Sequence, residues 1–387
     1  MNDNTSHSNF PFEVLNSKAT PFYYYDMALL RRTLDEVKRA TAGFPYHVHY
    51  ALKANGNPRI LAEIANRGLG ADLVSGGEIV AARDAGFKPS MMCFAGVGKT
   101  DAEIRLALDC EIGCFNVESL PELEVIDQIA LEMGRTARVA LRVNPDIDAH
   151  THRYITTGTA DNKFGICLED LDHIVDVATT MRGVKLCGLH FHIGSQITLM
   201  QPYVMLCEKV NELVNHFADR GIHFEIIDVG GGLGIDYDTP DAHPLPDFEA
   251  YFGTFKRHLR VRDGQQVYFE LGRSIVGQCG SLITRVTYVK HNRNKQFAIV
   301  DAGMSDLLRP ALYQAHHAID NLTSTHADVD TYDVVGPICE SSDTFARDCQ
   351  MPLTARGDLL AIRSAGAYGE SMASQYNMRR LPDSFFN

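Results

Sequence analysis

No apolar run in this 387-residue chain approaches the ~20 residues that a helix needs to cross a bilayer. The stretch Met1 to Asn9 is polar and lacks the apolar centre of a signal peptide. A basic surplus is missing as well. The formal net charge is −13, which argues against a nucleic-acid or anionic-membrane surface. Nine cysteines are scattered without a dense framework, so the chain is expected in a reducing cytoplasm, with most thiols acting as small buried hydrophobes. Only Cys110 and Cys114 stand close together, and their C-x3-C spacing has no second pair to complete a zinc site. The His-x-His pairs, His47/His49 and His190/His192, each place two imidazoles on one strand face. No carboxylate or cysteine motif accompanies them, so they are read as lining a site, and no metal is expected. Repeats, low-complexity tracts and long linkers are absent too.

What is there is a globular composition, 45% hydrophobic and 22% charged, over a length that suits a large domain plus a smaller one. Between residues 46 and 271 short apolar runs alternate with longer amphipathic stretches. The runs are His47–Leu52, Gly70–Val74, Met91–Ala95, Ile112–Val117, Ala137–Val143, Val184–His192, His223–Val229 and Gln266–Leu271. Between them, segments such as Leu120–Leu131 and Tyr203–Phe217 have helical spacing. Eight strands separated by helices predict an α/β fold, a (β/α)8 TIM-type barrel. An open doubly wound sheet is the alternative, disfavoured by the strand count and by the lack of a dinucleotide fingerprint.

After Leu271 the rhythm changes. Ser281–Val289, Gln296–Val300, Tyr332–Val335 and Asp358–Ile362 read as strands without regular intervening helices, and Gly-rich turns bound several of them. The expectation is a barrel over 27–272 and a second, mainly β domain built from 1–26 plus 273–387, with the aromatic run Pro21–Asp26 joining the latter.

Two glycine motifs look like nucleotide sites and fail. Gly96-Val97-Gly98-Lys99-Thr100 resembles a phosphate loop, but the glycine required further upstream is Cys93. Gly230-Gly231-Gly232-Leu233-Gly234-Ile235 begins like a dinucleotide fingerprint, yet its third glycine position holds Ile235 and it follows seven strands. What survives is the capacity of glycine N–H groups at a strand end to cradle a phosphate; a turn without a ligand is the other reading. In a barrel, chemistry gathers at the carboxyl ends of the strands. Lys53 ends the first barrel strand, His192, Gly194 and Ser195 the sixth, the glycine run the seventh, and Glu270-Leu271-Gly272-Arg273 the eighth. Singly these are a solvated lysine, turn chemistry and a salt bridge. Together they mark one rim.

At this point the chain resembles the fold-type III pyridoxal-phosphate decarboxylases (alanine-racemase-like fold), from about Pro21 to Asn377. The resemblance is carried in order by Tyr50–Asn55, Ser75-Gly76-Gly77-Glu78, His192–Gln196, Gly230–Gly234 and Glu270–Arg273. It continues through Asp301–Met304, Arg309–Tyr313, Gly336-Pro337-Ile338-Cys339-Glu340-Ser341 and Gly366-Ala367-Tyr368-Gly369. It implies that Lys53 holds pyridoxal 5'-phosphate as a Schiff base, since a primary amine is required. It places Glu270 at the pyridine nitrogen, His192 against the ring, and Ser195, Gly230, Gly231, Gly232, Gly272, Arg273 and Tyr368 around the cofactor and its phosphate. Arg273, Arg309, Tyr313, Glu340 and Tyr368 are similar to the family's substrate-binding set, and Cys339 to its proton donor.

The resemblance further implies a homodimer with shared active sites, in which Cys339 and Glu340 serve the neighbouring subunit. Two arginines plus Glu340 suit a substrate with both a carboxylate and an ammonium at its far end, so meso-2,6-diaminopimelate, giving L-lysine and CO2, is the expected substrate. The alternatives are a decarboxylase of ornithine, arginine or carboxynorspermidine and, outside catalysis, a cofactor-binding pseudoenzyme or carrier. Retained Lys53 and Cys339 speak against the latter. Leu271, where many relatives have proline, and Glu370, where an aromatic is frequent, depart from the pattern.

Overall fold

The computed structural model describes residues 10–147 and 163–387. The polar stretch 148–163, which the sequence suggests as a cover over the pocket, lies outside the described residues except for Lys163. The chain divides into two compact units. One comprises the described residues of Arg31–Ile235 together with Pro246–Ile275; the other takes those up to Leu30, Asp236–Leu245 and Val276–Asn387.

Among the described residues sixteen strands follow in order: β1 (Phe22–Tyr25), β2 (Tyr46–Ala51), β3 (Gly70–Leu73), β4 (Met92–Phe94), β5 (Cys114–Val117), β6 (Ala137–Arg142), β7 (Val184–His190) and β8 (Ile226–Gly231). After them come β9 (Gln266–Leu271), β10 (Gly280–His291), β11 (Gln296–Val300), β12 (Ile319–Asn321), β13 (Val329–Val335), β14 (Thr344–Pro352), β15 (Leu359–Ile362) and β16 (Asp383–Phe386). Strands β2 to β9 close into a parallel barrel, sealed by β2 against β9 with His49 opposite Glu270. The barrel strands are largely buried because helices cover the outside and side chains fill the inside.

Three helices of the barrel begin on the same local chemistry. Ser75, Thr100 and Ser119 each accept a hydrogen bond from the backbone N–H of a glutamate three residues on, and Thr100 with Glu103 completes a capping box. This also disposes of the phosphate-loop resemblance. The Lys99 side chain is 1% exposed, and its ammonium donates to Gly96 O, Asn116 O and Glu122 Oε1 at 2.9, 2.8 and 2.6 Å. All three of its protons are committed to the fold.

The strand ends differ from the expectation in two places. Strand β8 runs on through Gly231, so the glycine run starts inside the ladder, and β7 stops at His190, leaving His192 in the loop that follows. His47 and His49 do not line the site. His47 Nε2 lies 2.6 Å from Gln266 Oε1, and the buried His49 ring sits 4.4 Å from that of Tyr268. Both rings lie against Tyr268, which itself packs on the cluster of Cys93, Cys114, Ala140, Cys187 and Ile226, and burial pushes the His49 imidazole down to about 4.

The second unit is an eight-stranded sheet in the order β12-β15-β10-β11-β13-β14, with β1 paired antiparallel to β10 and parallel to β16. Strands β12, β14 and β16 were not anticipated. The first is three residues long, and β14, TFARDCQMP, has only two buried residues and carries no apolar alternation. Glu370 has a partner here: the Tyr25 hydroxyl donates to its Oε2 at 2.6 Å, and the Tyr25 ring stacks between Tyr23 and Phe386.

On the barrel's outer surface Phe269 is fully buried, its ring 5.0, 4.9 and 5.0 Å from those of Tyr46, Phe252 and Phe255. We expect Phe269→Ala to lower unfolding free energy by about 3–5 kcal/mol in a urea titration, because the cavity strands aromatic faces that cannot collapse together.

Candidate active site

Lys53 sits in a single 3-10 turn, Leu52–Ala54, that follows β2 directly. Its ammonium donates to Asp72 Oδ2 at 3.0 Å; the lysine side chain is 40% exposed and the aspartate none. Burial, then the charge of Glu270, pushes Asp72 up to about 6 against the pull of Lys53. Asp72 escaped the sequence reading. An aspartate in the middle of the buried strand Gly-Ala-Asp-Leu was the available signal, since a charge in such a strand needs a partner.

Glu270 is held from two sides. Asn116 Nδ2 donates to Oε1 at 3.2 Å, and His190 Nε2 stands 3.2 Å from Oε2. Burial alone would raise the Glu270 carboxyl, but His190 and then Lys53 outweigh it and hold the group below the ordinary carboxylate range. An anion is thus fixed at the carboxyl end of β9. His192 is pushed down to about 3, first by burial and then by Arg142, which keeps it a neutral ring. The Gly231 N–H donates to its Nδ1 at 3.3 Å.

The glycine turn leaves no room for side chains. A Cβ on Gly231 would fall 1.8 Å from Glu270 O, and one on Gly230, at φ +68°, 2.2 Å from Phe191 O. Gly272 is equally confined, its Cβ position 2.9 Å from the Ala54 methyl beside Lys53. Arg273, buried at the start of the turn Arg273–Val276, donates from Nη2 to Ser195 Oγ at 3.0 Å. The barrel thus brings together Lys53, His192, Ser195, Gly230, Gly231, Gly232, Glu270, Gly272 and Arg273 around the carboxyl ends of β2, β7, β8 and β9. Nearby, Arg142 Nη1 donates to Glu118 Oε1 at 2.6 Å in a buried pair that also ties down Gly165 N–H.

The remaining candidates lie in the β-rich unit. Arg309 is buried. His317 donates from Nδ1 to Arg363 O at 2.7 Å, which leaves Nε2 to accept from Arg309 Nη1 at 2.8 Å, and the guanidinium lies 4.9 Å over the Tyr237 ring. Tyr313 closes the same short helix, Arg309–Tyr313. Cys339 and Glu340 are exposed on a turn organised by Asp343, whose Oδ2 accepts from Ile338 N at 2.7 Å and Oδ1 from Met304 N at 2.6 Å. Glu340 accepts from the Tyr376 hydroxyl. Tyr368 adopts the left-handed region at φ +56°, a conformation a tyrosine holds only when its surroundings fix it.

Residues 27–277 match the pyridoxal-binding domain of the pyridoxal-dependent decarboxylases. A diaminopimelate decarboxylase from Bacteroides thetaiotaomicron is 55% identical over 377 residues, covering 97% of both chains. The chain belongs to the diaminopimelate decarboxylase family. Its relative in Vibrio cholerae is 42% identical over 95% of this chain and 87% of that one. The crystal structure of the family's Helicobacter pylori member, complexed with L-lysine, superposes with a TM-score of 0.92 at 42% identity, covering 97% and 93% of the two chains.

The residues present fit the family's cofactor, pyridoxal phosphate. Its aldehyde requires a primary amine, which Lys53 offers; its ring nitrogen suits the anionic Glu270; its phosphate suits N–H groups of the glycine turn beside Arg273 and Ser195.

Because Asp72 binds its proton more tightly folded than unfolded, its share of stability falls as pH rises from its ordinary 3.8 through about 6. We expect Asp72→Asn to remove that dependence. In urea titrations of the cofactor-free protein, wild-type stability minus variant stability should then decline across this window and level off above it.

Proposed function

We propose that this chain releases CO2 from meso-2,6-diaminopimelate to give L-lysine, with Lys53 as the amine that carries pyridoxal phosphate. The observation that supports this best is a lysine amine and an ionised glutamate at the mouth of one barrel, in a member of this family. The L-lysine complex of the Helicobacter pylori relative supports the substrate, because lysine is what remains when diaminopimelate loses one carboxyl group.

Pyridoxal phosphate, when bound, supplies the electron sink that accepts the electron pair left by departing CO2. The protein's own groups do the rest. Asp72 holds Lys53 Nζ in place by a charge-assisted hydrogen bond. Glu270, kept anionic by His190 and Asn116, favours a protonated ring nitrogen. His192, held neutral, offers a flat face without a competing charge. The glycine turn, Ser195 and Arg273 would hold the phosphate from the barrel, and Tyr368 would serve it from the other unit.

Arg309, fixed by His317, recognises a carboxylate with Arg273 and Tyr313, and Glu340 takes the far ammonium of the substrate. The Cys339 thiol delivers a proton to the carbon that has lost its carboxylate, and the thiolate is reprotonated from solvent. Cys339 and Glu340 are exposed, which suits our further reading that the chain works as a homodimer whose neighbour supplies these two residues. All nine cysteines are free, in keeping with a cytoplasmic protein, and no helix among the described residues is long and apolar enough to cross a membrane.

CO2 release assayed in parallel on meso-diaminopimelate, ornithine, arginine and carboxynorspermidine should show turnover of the first alone. A preference for ornithine overturns the substrate. Cys339→Ala should still bind the cofactor and lose roughly a hundred-fold or more in turnover, the usual weight of a positioned proton donor.

A further inference from the structure

Asp228 lies two residues before the glycine turn and belongs to none of the roles assigned above. It is 1% exposed, inside the barrel on β8. Its Oδ1 accepts the Gly230 N–H at 2.9 Å. Its Oδ2 is buried with no hydrogen-bond donor among the described residues. Ligand atoms of Asp228, Glu270 and His190 all lie within 4.8 Å of one another.

Two buried carboxylates so close cannot both be anions unless a cation stands between them. The titratable groups facing Asp228 are Glu270 and Tyr268 from β9, His190 from β7, Asp72 from β3, Cys93 and Cys114 from β4 and β5, and Tyr251 from the outer helix. The one cationic candidate among these, His190, has its Nε2 directed at Glu270 Oε2, and the Lys53 ammonium is bonded to Asp72. Burial first and the Glu270 charge second push Asp228 far above the ordinary carboxylate range. An orphan carboxyl oxygen beside a carboxylate is resolved by a single proton, which turns the acceptor into a donor.

We propose that Asp228 is a positioning residue that joins the two halves of the cofactor site, donating a hydrogen bond from Oδ2 to Glu270 while Oδ1 anchors the Gly230 N–H. One side chain then sets both the carboxylate meant for the ring nitrogen and the first N–H of the phosphate turn. The inference rests on the cofactor reading above and extends it to a residue that touches neither the cofactor nor the substrate. The arrangement explains how Glu270 stays ionised in a cavity that also holds Asp72 and Asp228. The neutral carboxyl lends Glu270 a third polar partner beside Asn116 and His190.

The test separates a donor from a mere space filler. In the cofactor-free wild type, difference infrared spectroscopy against Asp228→Asn should show the carbonyl stretch of a buried protonated carboxyl, persisting at neutral pH and missing from the variant. Asp228→Ala should weaken pyridoxal-phosphate binding, titrated on cofactor-free protein, by about ten-fold or more, the weight of a lost hydrogen bond to a charged group. Asp228→Asn, which keeps an acceptor for Gly230 and a permanent N–H donor for Glu270, should restore most of that affinity. It should also leave the pH midpoint of the bound cofactor's absorbance where it is in wild type.

A missing carboxyl band in wild type, or a midpoint displaced by Asp228→Asn as removal of a true anion would displace it, overturns the inference. The infrared result stands even where Asp228→Ala fails to fold. Wild type that takes up no cofactor at all would instead sink the underlying functional reading.

Discussion

An anion buried at the mouth of a barrel is the constraint on which this site depends. Leaving such a charge without partners costs several kcal/mol, and removing one partner of a buried pair typically costs about 3–5 kcal/mol. Glu270 meets that demand with Asn116 from β5 and His190 from β7, so three strands converge on one carboxylate. Lys53, in the turn that follows the neighbouring strand β2, adds its field and is itself steadied by Asp72. The polar groups inside the barrel are therefore interdependent: the proton on one carboxyl, the charge on another and the placing of the lysine are set together.

The backbone obeys a second constraint, which is close approach. Gly231 lies opposite Glu270 in the ladder with no space for a Cβ, and Gly230 takes a left-handed conformation against Phe191. Glycine's lack of a side chain thereby does two things at once. It lets β8 press against β9 so that Glu270 is placed, and it lets the strand end turn so that the Gly230 N–H reaches Asp228 Oδ1 and the Gly231 N–H reaches His192 Nδ1.

Much of this could be read from the amino-acid order. The eight apolar runs fall on the eight barrel strands because parallel strands buried on both faces must be continuously apolar. Lys53, Glu270 and the glycine run were found because barrel chemistry gathers at strand ends. The strands missed were those lacking that signature: β14 buries only two of its residues, and β12 is three residues long. His47 and His49 share the spacing of His190 and His192 yet pack into the barrel interior, since alternation along a strand tells which face a residue takes and not how deep it sits. Asp72, Asn116 and Asp228 were passed over inside apolar runs. Their meaning comes from groups on other strands, at separations in sequence that no local pattern reports.

The central claim is that the amine at position 53 carries the cofactor, and it can be measured at the level of one residue. Purified protein incubated with pyridoxal phosphate, reduced with borohydride and digested should yield a single phosphopyridoxyl-modified peptide, with the added mass on Lys53. Modification spread over surface lysines, or an unmodified Lys53, would contradict the account.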